Sequence, residues 1–173
     1  EKDIDMSFTD VFKKIFGTKA DRDMKAIRPM LDKVLAAYEN IDKLTDDELR
    51  EKCQALKDLI QSRIASDEAR IAEIKAELET EIPLSQKEKL ATEADKLVKE
   101  VDSKIETVLE EILPEAFAIM KSTARRFKEN ATIRVKATDF DRNLSATKEF
   151  VTIEGDYAVW QNHWLAGGNE MTW

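Results

Sequence analysis

The stretch Ile112-Leu113-Pro114-Glu115-Ala116-Phe117-Ala118-Ile119 interrupts the longest run of helical periodicity in the chain. A proline inside a helix removes one backbone donor and crowds the carbonyl a turn earlier, so a kink or break is expected here. Read from residue types, the stretch separates two helices. The second would pack closely through Ala116 and Ala118, with Phe117 as a large apolar anchor. Upstream, Leu90, Ala94, Leu97, Val101, Ile105, Val108 and Ile112 recur mostly at three- and four-residue spacing, which marks one helical stripe. Leu49, Cys53, Leu56, Ile60 and Ile64, then Ile71, Ile74 and Leu78, form another. Glu81-Ile82-Pro83-Leu84 breaks the pattern between them, and two stripes joined by a short turn predict an antiparallel helical hairpin. Its arms would be about 50 Å long at roughly 1.5 Å of rise per residue. The distal part has one thin stripe with charge elsewhere, which reads as a protruding arm: either a rigid spacer or a docking site for another protein. Thr45-Asp46-Asp47-Glu48 and Ser85-Gln86-Lys87-Glu88 have the form of capping boxes at the starts of the two helices. Cys53 lies on the stripe and reads as a buried structural thiol.

Two shorter helices precede the hairpin. Ser7-Phe8-Thr9-Asp10 has capping-box form, and Phe8, Val11, Phe12, Ile15 and Phe16 then make one strongly apolar face. Lys13 and Lys14 lie off that face, and Gly17 is placed as a C-terminal stop. Thr18-Lys19-Ala20-Asp21 repeats the cap and opens a second helix with the stripe Met24, Ile27, Leu31, Val34, Leu35 and Tyr38. Pro29 inside it predicts a kink or a late start. Lys13, Lys14, Lys19, Arg22, Lys25 and Arg28 make this region locally basic on an acidic chain. A charge run alone is a solvated face. Beside a Phe-rich amphipathic helix it is the combination that meets anionic lipid. The candidate membrane- or partner-binding set is Phe8, Val11, Phe12, Lys13, Lys14, Ile15, Phe16, Lys19, Arg22 and Lys25, the alternative being that the apolar face packs onto this domain. Residues 1–5 are acidic and patternless, and Met6 is a candidate biological start.

After Asn130 the period becomes alternating. Residues 132–138, 150–153 and 157–160 read as strands, with Glu154-Gly155-Asp156 as a hairpin turn, so a small antiparallel sheet of two or three strands is expected. Asp139-Phe140-Asp141-Arg142 reads as a loop whose aspartates form turns, not a metal or acid–base pair. The tail from Trp160 is aromatic and glycine-bearing. Trp164 and Trp173 read as covering the sheet or helices, or as docking onto sequence that follows. His163 has no Ser, Cys or acidic companion at motif spacing and reads as a packing or hydrogen-bonding residue.

The fold class is therefore mainly α: N-terminal helices, a long antiparallel helical hairpin, and a small antiparallel β element near the C-terminus. The expected division is residues 1–44, 45–112 (hairpin), 113–131 (a connecting helix) and 132–173 (β element and tail). Charged residues make up 37% and aromatics 7% of 173 residues, a mixture that favours long solvated helices over a sandwich or barrel. A net charge of −8 argues against a nucleic-acid partner. One cysteine and one histidine exclude an internal disulfide and a zinc site within one chain. No signal peptide and no membrane-spanning run are visible, so a cytoplasmic location is expected.

Three segments, in order, resemble the amino-terminal region of SecA, the ATPase motor that drives preproteins through the bacterial Sec channel. Phe16-Gly17-Thr18-Lys19-Ala20-Asp21-Arg22 is similar to the family's Phe-Gly-Ser-x-Asn-Asp-Arg, and Leu44-Thr45-Asp46-Asp47-Glu48-Leu49 to its Leu-Ser-Asp-Glu-Glu-Leu. Leu113-Pro114-Glu115-Ala116-Phe117-Ala118, followed by Ala124-Arg125-Arg126-Phe127, completes the set. The hairpin and the strand-bearing tail look like insertions relative to the family's shorter members. The resemblance implies an amino-terminal fragment of a SecA-type motor, holding the membrane- and channel-facing helix and the lead-in to the first nucleotide-binding domain. Implied partners are Sec channel proteins, an anionic phospholipid surface and preprotein, at the inner face of the cell membrane. ATP and magnesium are implied for the full-length family alone: no Gly-x-x-x-x-Gly-Lys-[Ser/Thr] occurs here, so this chain is expected to be inactive by itself, without cofactor or catalytic residues. The alternative is a stand-alone, non-enzymatic adaptor that tethers two partners through the hairpin and the basic helix.

Overall fold

The computed structural model describes residues 19–172, with four helices and five strands among them. They are α1 (Lys19–Ile41), α2 (Asp46–Leu78), α3 (Leu84–Glu129), β1 (Thr132–Lys136), α4 (Asp139–Ser145), β2 (Val151–Glu154), β3 (Tyr157–Gln161), β4 (His163–Ala166) and β5 (Asn169–Thr172). The mainly helical class with a small antiparallel β element is as expected. The predicted cap at Thr18, the stop at Gly17 and the helix from Ser7 fall outside the described residues.

α2 and α3 form the antiparallel hairpin. Ion pairs between them fall in numbers on α3 as they rise on α2: Lys52–Glu115, Arg63–Glu111, Asp67–Lys104 and Arg70–Glu93. The apolar stripe holds the arms together, with Leu49, Leu56, Ile64 and Ile74 buried on α2 and Leu90, Val108 and Ile112 on α3. Each buried aliphatic side chain contributes about 1.5–3 kcal/mol against leaving it in water. At the base, Ile41 from α1 joins Leu49, Leu56, Val108, Ile112, Ala118 and Ile119 in one core, with Cys53 half-buried against it.

Four local expectations are corrected. The break at Pro114 is absent: α3 continues from Leu84 to Glu129 with the proline inside it, because buried Ile112, Ala118 and Ile119 pack into the same core on either side. Phe117 is 53% exposed and is no anchor; the helical turn points it away while Ala116 and Ala118 face inward, as expected for the alanines. The Ser85 capping box does not form, since α3 starts at Leu84 and the Pro83 carbonyl accepts from the amides of Gln86 and Lys87. α1 likewise runs through Pro29. The box at Thr45 does form: its hydroxyl accepts from the Glu48 amide, and the Glu48 carboxylate accepts from the Thr45 amide.

In the β element β3 lies between β1 and β2, all antiparallel. Gly155, with φ of +61°, opens the two-residue turn from β2 to β3. Ile133, Val135, Val151 and Ala158 are buried together as a second core. The tail forms a further hairpin, β4–β5, closed by Gly167 and Gly168 at φ of +59° and +82°, the two positive values that a two-residue turn with right-handed twist requires. Residues 139–145 are not the expected loop but the short helix α4, capped by Thr138 with Asp141 completing the box.

Candidate functional site

Two places present side chains beyond simple packing: the free face of α1, and the base of the hairpin where the β element is fastened.

Of the residues singled out for membrane or partner contact, Lys19, Arg22 and Lys25 are described, and all three are exposed. At three-residue spacing they lie along one side of α1. Phe8, Val11, Phe12, Lys13, Lys14, Ile15 and Phe16 fall outside the described residues. The apolar line of α1 is present but not buried by any described part of the chain. Met24 is 61% and Ile27 57% exposed, and Leu31 and Leu35 are also open. Only towards the C-terminal end do Ala37, Tyr38 and Ile41 enter the core. α1 therefore offers an exposed apolar line flanked by cations.

At the base, two consecutive arginines of α3 bind the turn between α1 and α2. Arg125 donates to the Tyr38 hydroxyl at 3.1 Å and to Asp42 Oδ1 at 2.6 Å, and Ser122 Oγ donates to the same Asp42 oxygen. Arg126, almost fully buried, donates to Asp46 Oδ1, the Leu44 carbonyl and Ser122 Oγ. These arginines belong to the Ala124-Arg125-Arg126-Phe127 stretch, so that motif locks the corner where three helices meet.

The β element is fastened one turn along α2. Arg50 Nη2 donates to both oxygens of Asp141, each at 2.9 Å, and Nη1 donates to the Lys136 carbonyl. Asp141 has a side chain with no exposed area. It also accepts from Trp160 Nε1 at 3.0 Å and from the amide and hydroxyl of Thr138. On the outer side, Asp47 accepts from the Lys136 amide. Beside this clasp lies an apolar groove of about 290 Å³, walled by Leu49, Ile119, Phe127, Ile133, Val135 and Trp160. Phe140 stacks on Trp160 at its rim, ring centroids 6.4 Å apart. Every buried side-chain nitrogen and oxygen among the described residues has a partner, so the polar side chains of this clasp fasten and orient the β element. Sequence reading treated Asp141 as a turn former. The signal that could have placed it was Thr138-x-x-Asp141, a capping box ahead of a short helix.

Burial pushes the Asp141 carboxyl up, but the Thr138 bonds and the Arg50 charge outweigh it, leaving its pKa below the ordinary 3.8. For Asp42, burial again pushes up and bonds from Arg125, Tyr38 and Ser122 prevail, so its pKa is also lowered. Both groups bind protons more weakly folded than unfolded, so their contribution is complete above about pH 4 and is lost as pH falls through the lowered values. The urea midpoint is expected to stay flat from about pH 7 to 5 and fall below about pH 4. Asp42→Asn together with Asp141→Asn should flatten that acid limb, which a pH series of urea titrations reads directly.

Comparison with known proteins places this architecture. The family model described as the SecA DEAD-like domain matches residues 12–140. The chain belongs to the SecA family. It is 50% identical over 168 residues to the protein translocase subunit SecA of Porphyromonas gingivalis, covering 97% of this chain and 15% of that protein. The SecA of Phocaeicola vulgatus is 51% identical over 169 residues, again 97% and 15%. That of Flavobacterium psychrophilum is 43% identical over 169 residues with the same shares. This chain thus corresponds to the N-terminal region of SecA and spans about 15% of the length of these relatives. The likeness extends across the hairpin and the β tail, beyond the segments on which the resemblance first rested. No solved structure gives a significant match.

Proposed function

We propose that this chain is the amino-terminal scaffold of a SecA-type motor for preprotein translocation across the cytoplasmic membrane. It would contribute contact with the membrane and the Sec channel through its N-terminal helices, and support for the first nucleotide-binding domain through the base of the hairpin. The observation that carries this reading is the exposed apolar line of α1 (Met24, Ile27, Leu31 and Leu35) flanked by Lys19, Arg22 and Lys25, in a chain that belongs to the SecA family. No described helix is long and apolar enough to cross a membrane. In this reading the contact is peripheral, at the inner face of the cell membrane. Its partners are Sec channel proteins, preprotein and anionic phospholipid.

ATP and magnesium belong, in this reading, to the full-length motor. In this reading the described residues of this chain supply neither site. The positive-φ glycines among the described residues, Gly155, Gly167 and Gly168, all sit in β-hairpin turns, away from any described helix start that could cradle phosphates. At the α2 N-terminus Thr45 Oγ1 accepts from the Glu48 amide and the Glu48 carboxylate accepts from the Thr45 amide, and no cluster of three acidic, His or Cys side chains suited to a metal occurs among the described residues. No step is therefore assigned to them here.

Vesicle co-sedimentation tests the membrane contact. Binding to vesicles rich in phosphatidylglycerol is expected for the chain, and little to phosphatidylcholine alone. Reversing three cations in Lys19→Glu, Arg22→Glu and Lys25→Glu should weaken anionic-vesicle binding roughly a hundredfold, at about 1 kcal/mol per basic residue at an anionic surface. Deletion of residues 8–16 should do at least as much. Binding that survives both changes would show that the contact belongs to another element.

A further inference from the structure

We propose that one flank of the hairpin arm, centred on Ile71, Ala72 and Val98, is a self-complementary contact surface whose partner is a second copy of the same arm. The flank carries a groove of about 330 Å³ lined by Glu68, Ile71, Ala72 and Lys75 of α2 and Val98 and Val101 of α3. The arm's own seam is closed by Ile64, Ile74 and Leu90, and Val98 lies off it, 46% exposed. The middle of the flank is thus apolar and open, with charge at its ends.

The order of those charges selects the partner. A two-fold contact sets each residue against its counterpart reciprocally, so the patch must complement itself. Take an axis in the contact plane, perpendicular to the helices and passing between Ile71 and Ala72. It lays α2 antiparallel on α2 of the second copy. Glu68 then faces Lys75, Lys75 faces Glu68, and the alanine side chain lets the two backbones approach. Val98 of α3 lines the same groove as Ile71 and Ala72 of α2, so on this axis Val98 meets its own mate. Asp102, at the α3 margin of the groove, falls opposite Ala94. Within the chain, Lys75 makes no ion pair among the described residues, and the Glu68 carboxylate accepts a hydrogen bond from Gln61 Nε2. An unrelated helix would have to bring both charges in the correct order; a second copy brings them by symmetry.

Analytical ultracentrifugation of the 173-residue chain tests this, over concentrations up to about 200 µM at low ionic strength. The chain is expected to dimerise. Lys75→Glu sets like charges together at both ends of the contact and should weaken dimerisation about tenfold or more, as should Glu68→Lys. Combining the two changes restores opposite charges at both ends and should recover the original constant to within about threefold. Val98→Asp, which places two carboxylates together on the axis, should weaken it as strongly as either single reversal. All these side chains are exposed, and far-ultraviolet circular dichroism confirms that each variant remains helical. A chain that stays monomeric throughout overturns the proposal. So does a dimer indifferent to Lys75→Glu and Val98→Asp, or one that the double reversal fails to recover.

Discussion

Asp141→Ala is expected to lower the unfolding free energy by about 4 kcal/mol, and Arg50→Ala by about 3 kcal/mol, within the range for breaking a buried pair from one side. The aspartate costs more because one carboxylate satisfies four donors: the Arg50 guanidinium, Trp160 Nε1, and the amide and hydroxyl of Thr138. Its loss breaks the reciprocal half of the α4 capping box and leaves the Thr138 amide and Trp160 Nε1 unpaired beside an apolar groove. Removing Arg50 leaves a buried carboxylate without its cation, although three of its hydrogen bonds persist. Arg50 itself is about one-third exposed, so its ordinary state is partly hydrated and the loss sits at the low end. The double variant should cost less than the sum of the two, since each single change leaves the other partner unpaired. Urea unfolding followed by circular dichroism gives the three values. Hydrogen exchange should locate the loosening in β1, α4 and the strands behind them, with the distal arm unchanged. A cost below about 1 kcal/mol for Asp141→Ala would show that the β element is held chiefly by apolar packing across the groove.

That clasp also marks where the sequence stops being legible. The hairpin could be read because its information is local: stripes at three- and four-residue spacing, and a proline-bearing turn between them. β1 to β3 announced themselves by alternation and by Gly155. Asp141 and Arg50 are separated by 91 positions, and no periodicity links them; only the folded corner brings them together. The tail hairpin was within reach, since Gly167-Gly168 between two short runs is a turn signal, but aromatic composition drew the reading towards packing. Local rules also erred at Ser85, where a box-like pattern lost to a helix that starts two residues earlier, with Pro83 as its N-cap. On α1 the stripe was legible while its burial was not, because spacing predicts which side chains share a face and says nothing about what covers it.

Pro114→Ala is expected to stabilise the protein by about 1–3 kcal/mol. Proline in a helix interior is about 3 kcal/mol less favourable than alanine, through its missing donor and its clash with the preceding turn. α3 nevertheless continues past it to Glu129, so other interactions must absorb that cost. They are identifiable. Ile112 precedes the proline and Ala118 and Ile119 follow it, all buried in the core shared with α1 and α2. Packing on both flanks holds the segment helical against its local preference, and Glu110, whose carbonyl loses its partner, is exposed to water. Alanine would return that donor to the Glu110 carbonyl and relieve the clash. The gain falls short of the full difference to the extent that neighbouring side chains are fitted to the proline-bearing geometry. A rise in urea midpoint at constant slope would confirm it. Destabilisation by Pro114→Ala would instead mean that the path Pro114 imposes on α3 is itself required to bring Ile112 and Ile119 into the common core. The proline would then be a determinant of how the three helices meet.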